Sequence, residues 1–175
     1  MRKLVFVGLL VARKGVLDLL AALAMPGVMP VDGRLTVVGD GPQRGEAERL
    51  VEEGVLRGKV EFLGFRADVP ELLLAGDALV LPSSMEQQPL VVAEAMSAGK
   101  PVVATDTGGV ADMVGASGYL AQPGDVAGLA DRLRALFGDP DPAGIGRELA
   151  SRAQARFTPE ACARRHLELY EGLVK

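Results

Sequence analysis

The chain has 175 residues, 49% of them hydrophobic, with 19 basic residues against 23 acidic ones and a formal net charge of −4. That length supports one domain with a sizeable core, and an acidic balance with only 4% aromatics argues against a nucleic-acid partner, which needs a basic face and stacking rings. The one cysteine, Cys162, cannot close an internal disulfide, and no apolar run approaches the roughly 20 residues that span a bilayer, so a cytoplasmic protein is expected.

Met1-Arg2-Lys3 leads straight into an apolar run over 3–8, KLVFVG, which ends in glycine as a parallel strand buried on both faces does. Residues 14–25 place Val16, Leu19, Leu20 and Leu23 at helical spacing. A strand over 34–39, a helix over 43–56, a strand over 59–64, a helix over 69–75 and a strand over 78–82 follow. The alternation continues with a helix over 90–98, a strand over 101–105, a short helix over 110–114 and a sixth strand over 118–121. Strands alternating with helices predict an α/β, doubly wound Rossmann-like domain with a six-stranded parallel sheet, whose ligands bind at the carboxyl ends of the strands. Beyond the sheet the pattern predicts extra C-terminal helices over 126–137 and 145–157, separated by a GDPDPAG loop. A last helix runs to about residue 173, capped by Thr158 with Pro159 at its first position. Its stripe of Ala163, Leu167, Tyr170 and Val174 calls for a partner surface. With no repeat, low-complexity tract or linker, residues 1–175 read as one domain.

The stretch 77–99, DALVLPSSMEQQPLVVAEAMSAG, carries the most chemistry: a short buried strand, a polar turn, then a helix opened by Pro89 and stopped by Gly99. The first N–H groups of that helix, near Leu90 and Val91, lack intrahelical acceptors and lie at the positive end of its dipole, which favours a phosphate. Glu86 in the turn and Glu94 in the helix flank that anion site. Carboxylates there suit hydroxyl groups, so the pair could hold a ribose on one side of a diphosphate and a hexose on the other. After the first strand, Arg13 and Lys14 put two cations at the same sheet edge, where they can neutralise a diphosphate. The second strand ends in GDGPQRG. Its Gly39 and Gly41 do not make a dinucleotide fingerprint, because the third glycine comes one residue late and the motif follows the second strand. TDTGG over 105–109 allows Gly108 and Gly109 a close approach to a sugar or phosphate, or a simple turn into the next helix. Asp139 and Asp141 form a D-x-D that lies past the sheet and reads as a solvated turn. Cys162 and His166, one helical turn apart, lack a third orienting group and read as structural, the cysteine as a packing residue. No metal-ligand cluster is visible in the sequence.

The words EQQPLVVAEAMSAGKPVVATDTGG resemble the signature of the two-domain GT-B nucleotide-sugar-dependent glycosyltransferases, the group that includes glycogen synthases, and the resemblance runs over nearly the whole chain. It implies the carboxyl-terminal, donor-binding domain of a retaining glycosyltransferase, cut from a two-domain enzyme whose N-terminal acceptor-binding domain is missing here. The donor is then a nucleoside diphosphate sugar, with no metal or other cofactor, and any membrane contact goes through the missing domain. By the same resemblance Lys14 contacts the diphosphate, Glu86 the donor sugar, Glu94 the ribose, and the amides of Leu90 and Val91 the phosphate. The Gly39–Gly41 turn lies near the nucleotide, and the loop Gly64, Phe65, Arg66 holds the base through its backbone. The chain departs from the family pattern at Leu9, where an arginine is usual, and at Gln88, where many members carry an aromatic residue. Two other readings stay open: a GT-B epimerase or phosphorylase-like enzyme, and a noncatalytic nucleotide-binding or scaffold domain, which Leu9 favours.

Overall fold

Strands form where apolar residues come in short runs that can be buried on both faces. In the computed structural model, which describes residues 2–173, they are β1 (Lys3–Val7), β2 (Arg34–Val38), β3 (Val60–Gly64), β4 (Ala78–Leu81), β5 (Val102–Thr105) and β6 (Tyr119–Ala121). All neighbours pair in parallel, in the order β3-β2-β1-β4-β5-β6. β4 and β5 are buried along their whole lengths, which explains why they read as continuous hydrophobic runs.

The helices are α1 (Val16–Ala24), α2 (Arg44–Glu53), α3 (Val69–Ala75), α4 (Leu90–Ser97), α5 (Val110–Val114), α6 (Val126–Gly138), α7 (Pro142–Arg156) and α8 (Pro159–Leu173). α1, α2 and α6 pack through Leu19, Leu23, Val51 and Leu133 on one face of the sheet. α3, α4, α5 and α7 pack through Leu73, Met96, Met113 and Leu149 on the other. The sheet is therefore doubly wound, and the chain reverses its direction of growth between β1 and β4. The loops leaving those two strands diverge to opposite faces, which opens the crevice where such folds take ligands.

The structure departs from the sequence reading at several places, one of them α2, which ends at Glu53 before Gly54 instead of running to residue 56. Lys14 ends a 3-10 turn (Ala12–Lys14) and α1 starts only at Val16, because Gly15 between them sits at φ 71° and interrupts the helix. α7 begins at Pro142, three residues before the expected start. Asp141 is its N-cap, accepting from the Gly144 N–H at 2.8 Å, while Asp139 accepts from the Tyr119 hydroxyl at 2.7 Å. The D-x-D is thus a helix cap and a tether to β6. Burial, chiefly, and then the Asp139 carboxylate push the Tyr119 hydroxyl well above its usual range, so it stays a donor. Cys162 is exposed, so it does not pack as expected. The stripe on α8, by contrast, is open as a stripe calling for a partner surface should be: Leu167 and Tyr170 face solvent and only Ala161 of that helix is buried, while Val174 lies outside the described residues. Among the described residues no helix is long and apolar enough to cross a membrane.

Candidate functional site

Three loops meet at the carboxyl ends of β1, β4 and β5, and their backbones are fastened to one another. Gly15 lets the first loop lie against the second: a β-carbon there would come within 2.2 Å of the Pro82 carbonyl oxygen. One step further out, the Ser84 N–H donates to the Arg13 carbonyl at 2.8 Å. The third loop holds the second from the other side. The Thr105 hydroxyl donates to the Ser83 carbonyl, and the Gly109 N–H donates to the Gln87 carbonyl at 2.6 Å. Gly108, at φ 55°, is packed so tightly on the Glu86 carbonyl that a β-carbon would come within 1.8 Å of its oxygen.

This fastening fixes two side chains opposite each other. The Lys14 stem lies over Gly8, and its Nζ is 2.5 Å from Glu86 Oε1. The side chains are 14% and 8% exposed, so the ion pair is largely removed from water but open to the crevice. Next to it, α4 begins without a side-chain cap. Its first backbone bond runs from the Val92 N–H to the Pro89 carbonyl, leaving the N–H groups of Leu90 and Val91 for an external acceptor. A largely buried cation and its carboxylate partner thus lie at the β1–β4 switch point, the carboxylate on the loop that leads into two orphan amides. The set can neutralise an anion while accepting hydrogen bonds from hydroxyls.

Glu94 is not part of this cluster. It lies one helical turn beyond Leu90 on the exposed side of α4, in a groove lined by Pro70, Leu74, Ser97 and Phe157. A ligand lying on the α4 N-terminus would have to extend toward α3 to reach it. At the far side of the crevice the β2 loop passes over the β1 loop, with Gly39 against the Gly8 carbonyl and Gly41 against Leu10. The Leu10 N–H donates to the Asp40 carbonyl, and its own carbonyl accepts from the Gln43 N–H, both at 2.9 Å. The glycines at 39 and 41 therefore have an internal reason, the close passage of two backbones. Gly64 ends β3 at φ 68° and its carbonyl accepts from the Gly39 N–H at 2.7 Å, so the β3 loop joins the same edge. Phe65 is 85% exposed, while the Arg66 guanidinium is spent on both carboxylate oxygens of Asp68.

The cations of this edge differ in availability. Arg44, which the sequence reading passed over, lies against Gly64 and is held by Asp40 and Glu48 at i−4 and i+4, a spacing legible in the sequence. The Gly41 N–H and then Arg44 hold the Asp40 carboxyl below its usual range. Arg13 is exposed and takes part in no ion pair among the described residues. Leu9, the first residue past Gly8, is 59% exposed. Elsewhere, His166 Nδ1 is 2.8 Å from the Cys162 carbonyl oxygen and 3.6 Å from its Sγ, so that nitrogen donates to the backbone and cannot also serve as a base for the thiol. Among the described residues no three His, Cys, Asp or Glu side chains gather as metal ligands.

Comparison with known proteins places this geometry among relatives. Residues 1–139 match the model of the family described as Glycosyl transferases group 1. The chain is 34% identical over 162 residues to N-acetyl-alpha-D-glucosaminyl L-malate synthase of Bacillus anthracis, covering 91% of this chain and 42% of that protein. It is 36% identical over 166 residues to glycogen synthase of Mycobacterium tuberculosis, covering 90% of this chain and 38% of the relative. Among solved structures, Anabaena Alr3699/HepE in complex with UDP superposes with a TM-score of 0.87 at 30% identity, over 97% of this chain and 48% of the other. The UDP-glucose complex of the same protein gives 0.86 at 31% identity. The chain spans less than half the length of each of these proteins.

Proposed function

The chain belongs to the group 1 glycosyltransferases, and from that premise we propose that it is the donor-binding domain of an enzyme moving a sugar from a nucleoside diphosphate sugar to an acceptor with retention of configuration. The observation that carries the reading is the Lys14–Glu86 pair beside the uncapped start of α4, at the switch point of the sheet. That UDP and UDP-glucose are bound by a structural relative at 30–31% identity supports this class of donor.

In this reading Lys14 and the amides of Leu90 and Val91 take the diphosphate. The negative charge on it grows as the glycosidic bond breaks, so their interaction strengthens toward the transition state, and the contribution to rate is electrostatic. Arg13 adds a more distant cation. Glu86 accepts hydrogen bonds from the sugar and orients the anomeric carbon, and Gly108 and Gly109 hold the carboxylate in place. Glu94 accepts from the ribose in the groove toward α3, and the backbone of Gly64, Phe65 and Arg66 frames the base with the Gly39–Gly41 turn at its side. The departing phosphate itself receives the acceptor proton, which requires no base on this chain, and no metal takes part. A second domain of comparable size supplies the acceptor site and any membrane contact, so the 175-residue chain alone binds donor but turns over little. The exposed, unpaired Cys162 suits a reducing, cytoplasmic setting.

Calorimetry with UDP-glucose tests the assignment of Glu94. Because this side chain is exposed, Glu94→Ala should leave the melting temperature in place and weaken binding about 10- to 100-fold, the worth of one or two hydrogen bonds to a charged group. Equal affinity in the variant would remove Glu94 from the site. Leu9 offers a test in the opposite direction. Leu9→Arg should tighten UDP roughly tenfold and steepen its loss with added salt, since a second cation would then stand beside Lys14. Unchanged affinity would mean that position 9 does not face the diphosphate.

A further inference from the structure

The cation assigned to the diphosphate is already taken. Lys14 Nζ lies 2.5 Å from Glu86 Oε1, and the pair as a whole is neutral. Neither side chain drifts easily, because the backbone at Gly15 is pressed against Pro82 and the backbone at Glu86 against Gly108. Of the other cations on this edge, Arg44 is held by Asp40 and Glu48 and Arg66 by Asp68, position 9 is a leucine, and Arg13, which forms no ion pair among the described residues, is exposed to solvent. An incoming diphosphate therefore competes for Lys14 with a carboxylate that is only 8% exposed, and must lie next to that carboxylate. A bare carboxylate so little hydrated beside a phosphate is costly on both counts, desolvation and like charge.

We infer that Glu86 discriminates between the loaded donor and the spent nucleoside diphosphate, by holding Lys14 until a sugar hydroxyl takes the place of the ammonium group. This rests on the proposed function and adds a coupling to it. A donor brings hydroxyl hydrogens to Glu86 in the same movement that brings phosphate oxygens to Lys14, so both largely buried charges keep partners. A nucleoside diphosphate brings only the second. The sugar and diphosphate subsites then favour each other's occupation. Once the sugar has been transferred, Glu86 loses its hydroxyl partners and competes again for Lys14, which helps the product leave.

The test is calorimetry on the 175-residue chain and its Glu86→Gln variant, at low and high salt, with UDP, ADP and GDP and the glucose conjugate of each. For the base that binds tightest, the unaltered chain should hold the conjugate more tightly than the nucleoside diphosphate. In Glu86→Gln the nucleoside diphosphate should tighten about tenfold, with a steeper salt dependence, as the neutral amide releases Lys14. The glucose conjugate should not gain, so the ratio of the two affinities falls toward one. A nucleoside diphosphate that binds the variant no better than the unaltered chain overturns the coupling. So does one that binds the unaltered chain as tightly as its conjugate does, an outcome that needs no variant. Binding of none of the six at millimolar concentration would overturn the proposed function itself, whereas the two preceding outcomes leave that function standing and remove only the coupling.

Discussion

Lys14→Met should bind UDP and UDP-glucose about 100-fold more weakly than the unaltered chain, and the loss should be nearly the same for both. Two effects act in one direction. The ammonium group assigned to the diphosphate is gone, and Glu86, only 8% exposed, is left as a charge without its partner. Methionine keeps most of the length of the lysine stem over Gly8, so the packing there is retained. Breaking a mostly buried pair from one side costs about 3–5 kcal/mol when the remaining charge cannot relax. Glu86 keeps some contact with solvent and can recover water, so a loss at or below the lower end of that range, about 2–3 kcal/mol, is expected from thermal or urea unfolding. The sign of the change separates the two partners: removing the cation weakens the bare nucleotide, whereas neutralising the carboxylate strengthens it. Affinity unaffected by Lys14→Met would place the diphosphate elsewhere.

Gly108→Ala should lower stability by about 2–4 kcal/mol and remove the preference for the sugar-bearing nucleotide. The added β-carbon would meet the Glu86 carbonyl oxygen at 1.8 Å, and the obstacle is backbone that cannot rotate away as a side chain would. The loop must shift, and Glu86 shifts with it. Gly124→Ala separates this contact from the cost of the backbone conformation. Gly124 also has a positive φ, 77°, but nothing lies within 4 Å of its β-carbon position. Alanine there should cost only about 1 kcal/mol and leave nucleotide binding alone. Equal destabilisation at the two positions would show that conformation, not contact with Glu86, sets the requirement at 108.

The layers of this fold were legible because the sheet is parallel and covered on both faces. Each strand had to be a short apolar run and each crossover an amphipathic helix, and residues 69–75 and 110–114 are helical over the expected spans. The boundaries that differ depend on local backbone chemistry that hydrophobic spacing does not register. Gly15 reads as an ordinary residue before a helix until its left-handed conformation is seen, and Asp141 as loop until its carboxylate meets the Gly144 N–H. At the site, Lys14 and Glu86 could be paired from the sequence because parallel strands deliver the ends of β1 and β4 to one edge. The directness of their contact could not, because it depends on how close Gly15 and Gly108 let three loops come. Glu94 shows the converse. Its spacing from Glu86 is plain in the sequence, but α4 turns it toward the α3 groove, so it joins Glu86 only through a ligand long enough to reach both.

If the crevice between the ends of β1 and β4 is built for a sugar diphosphate, a structure of the chain soaked with UDP-glucose will show the diphosphate against Lys14 Nζ and the N–H groups of Leu90 and Val91, glucose hydroxyls on Glu86 in place of the ammonium group, and the ribose extending toward Glu94. A nucleotide bound away from Lys14, or one seated there with the Lys14–Glu86 pair still closed, would rule that out.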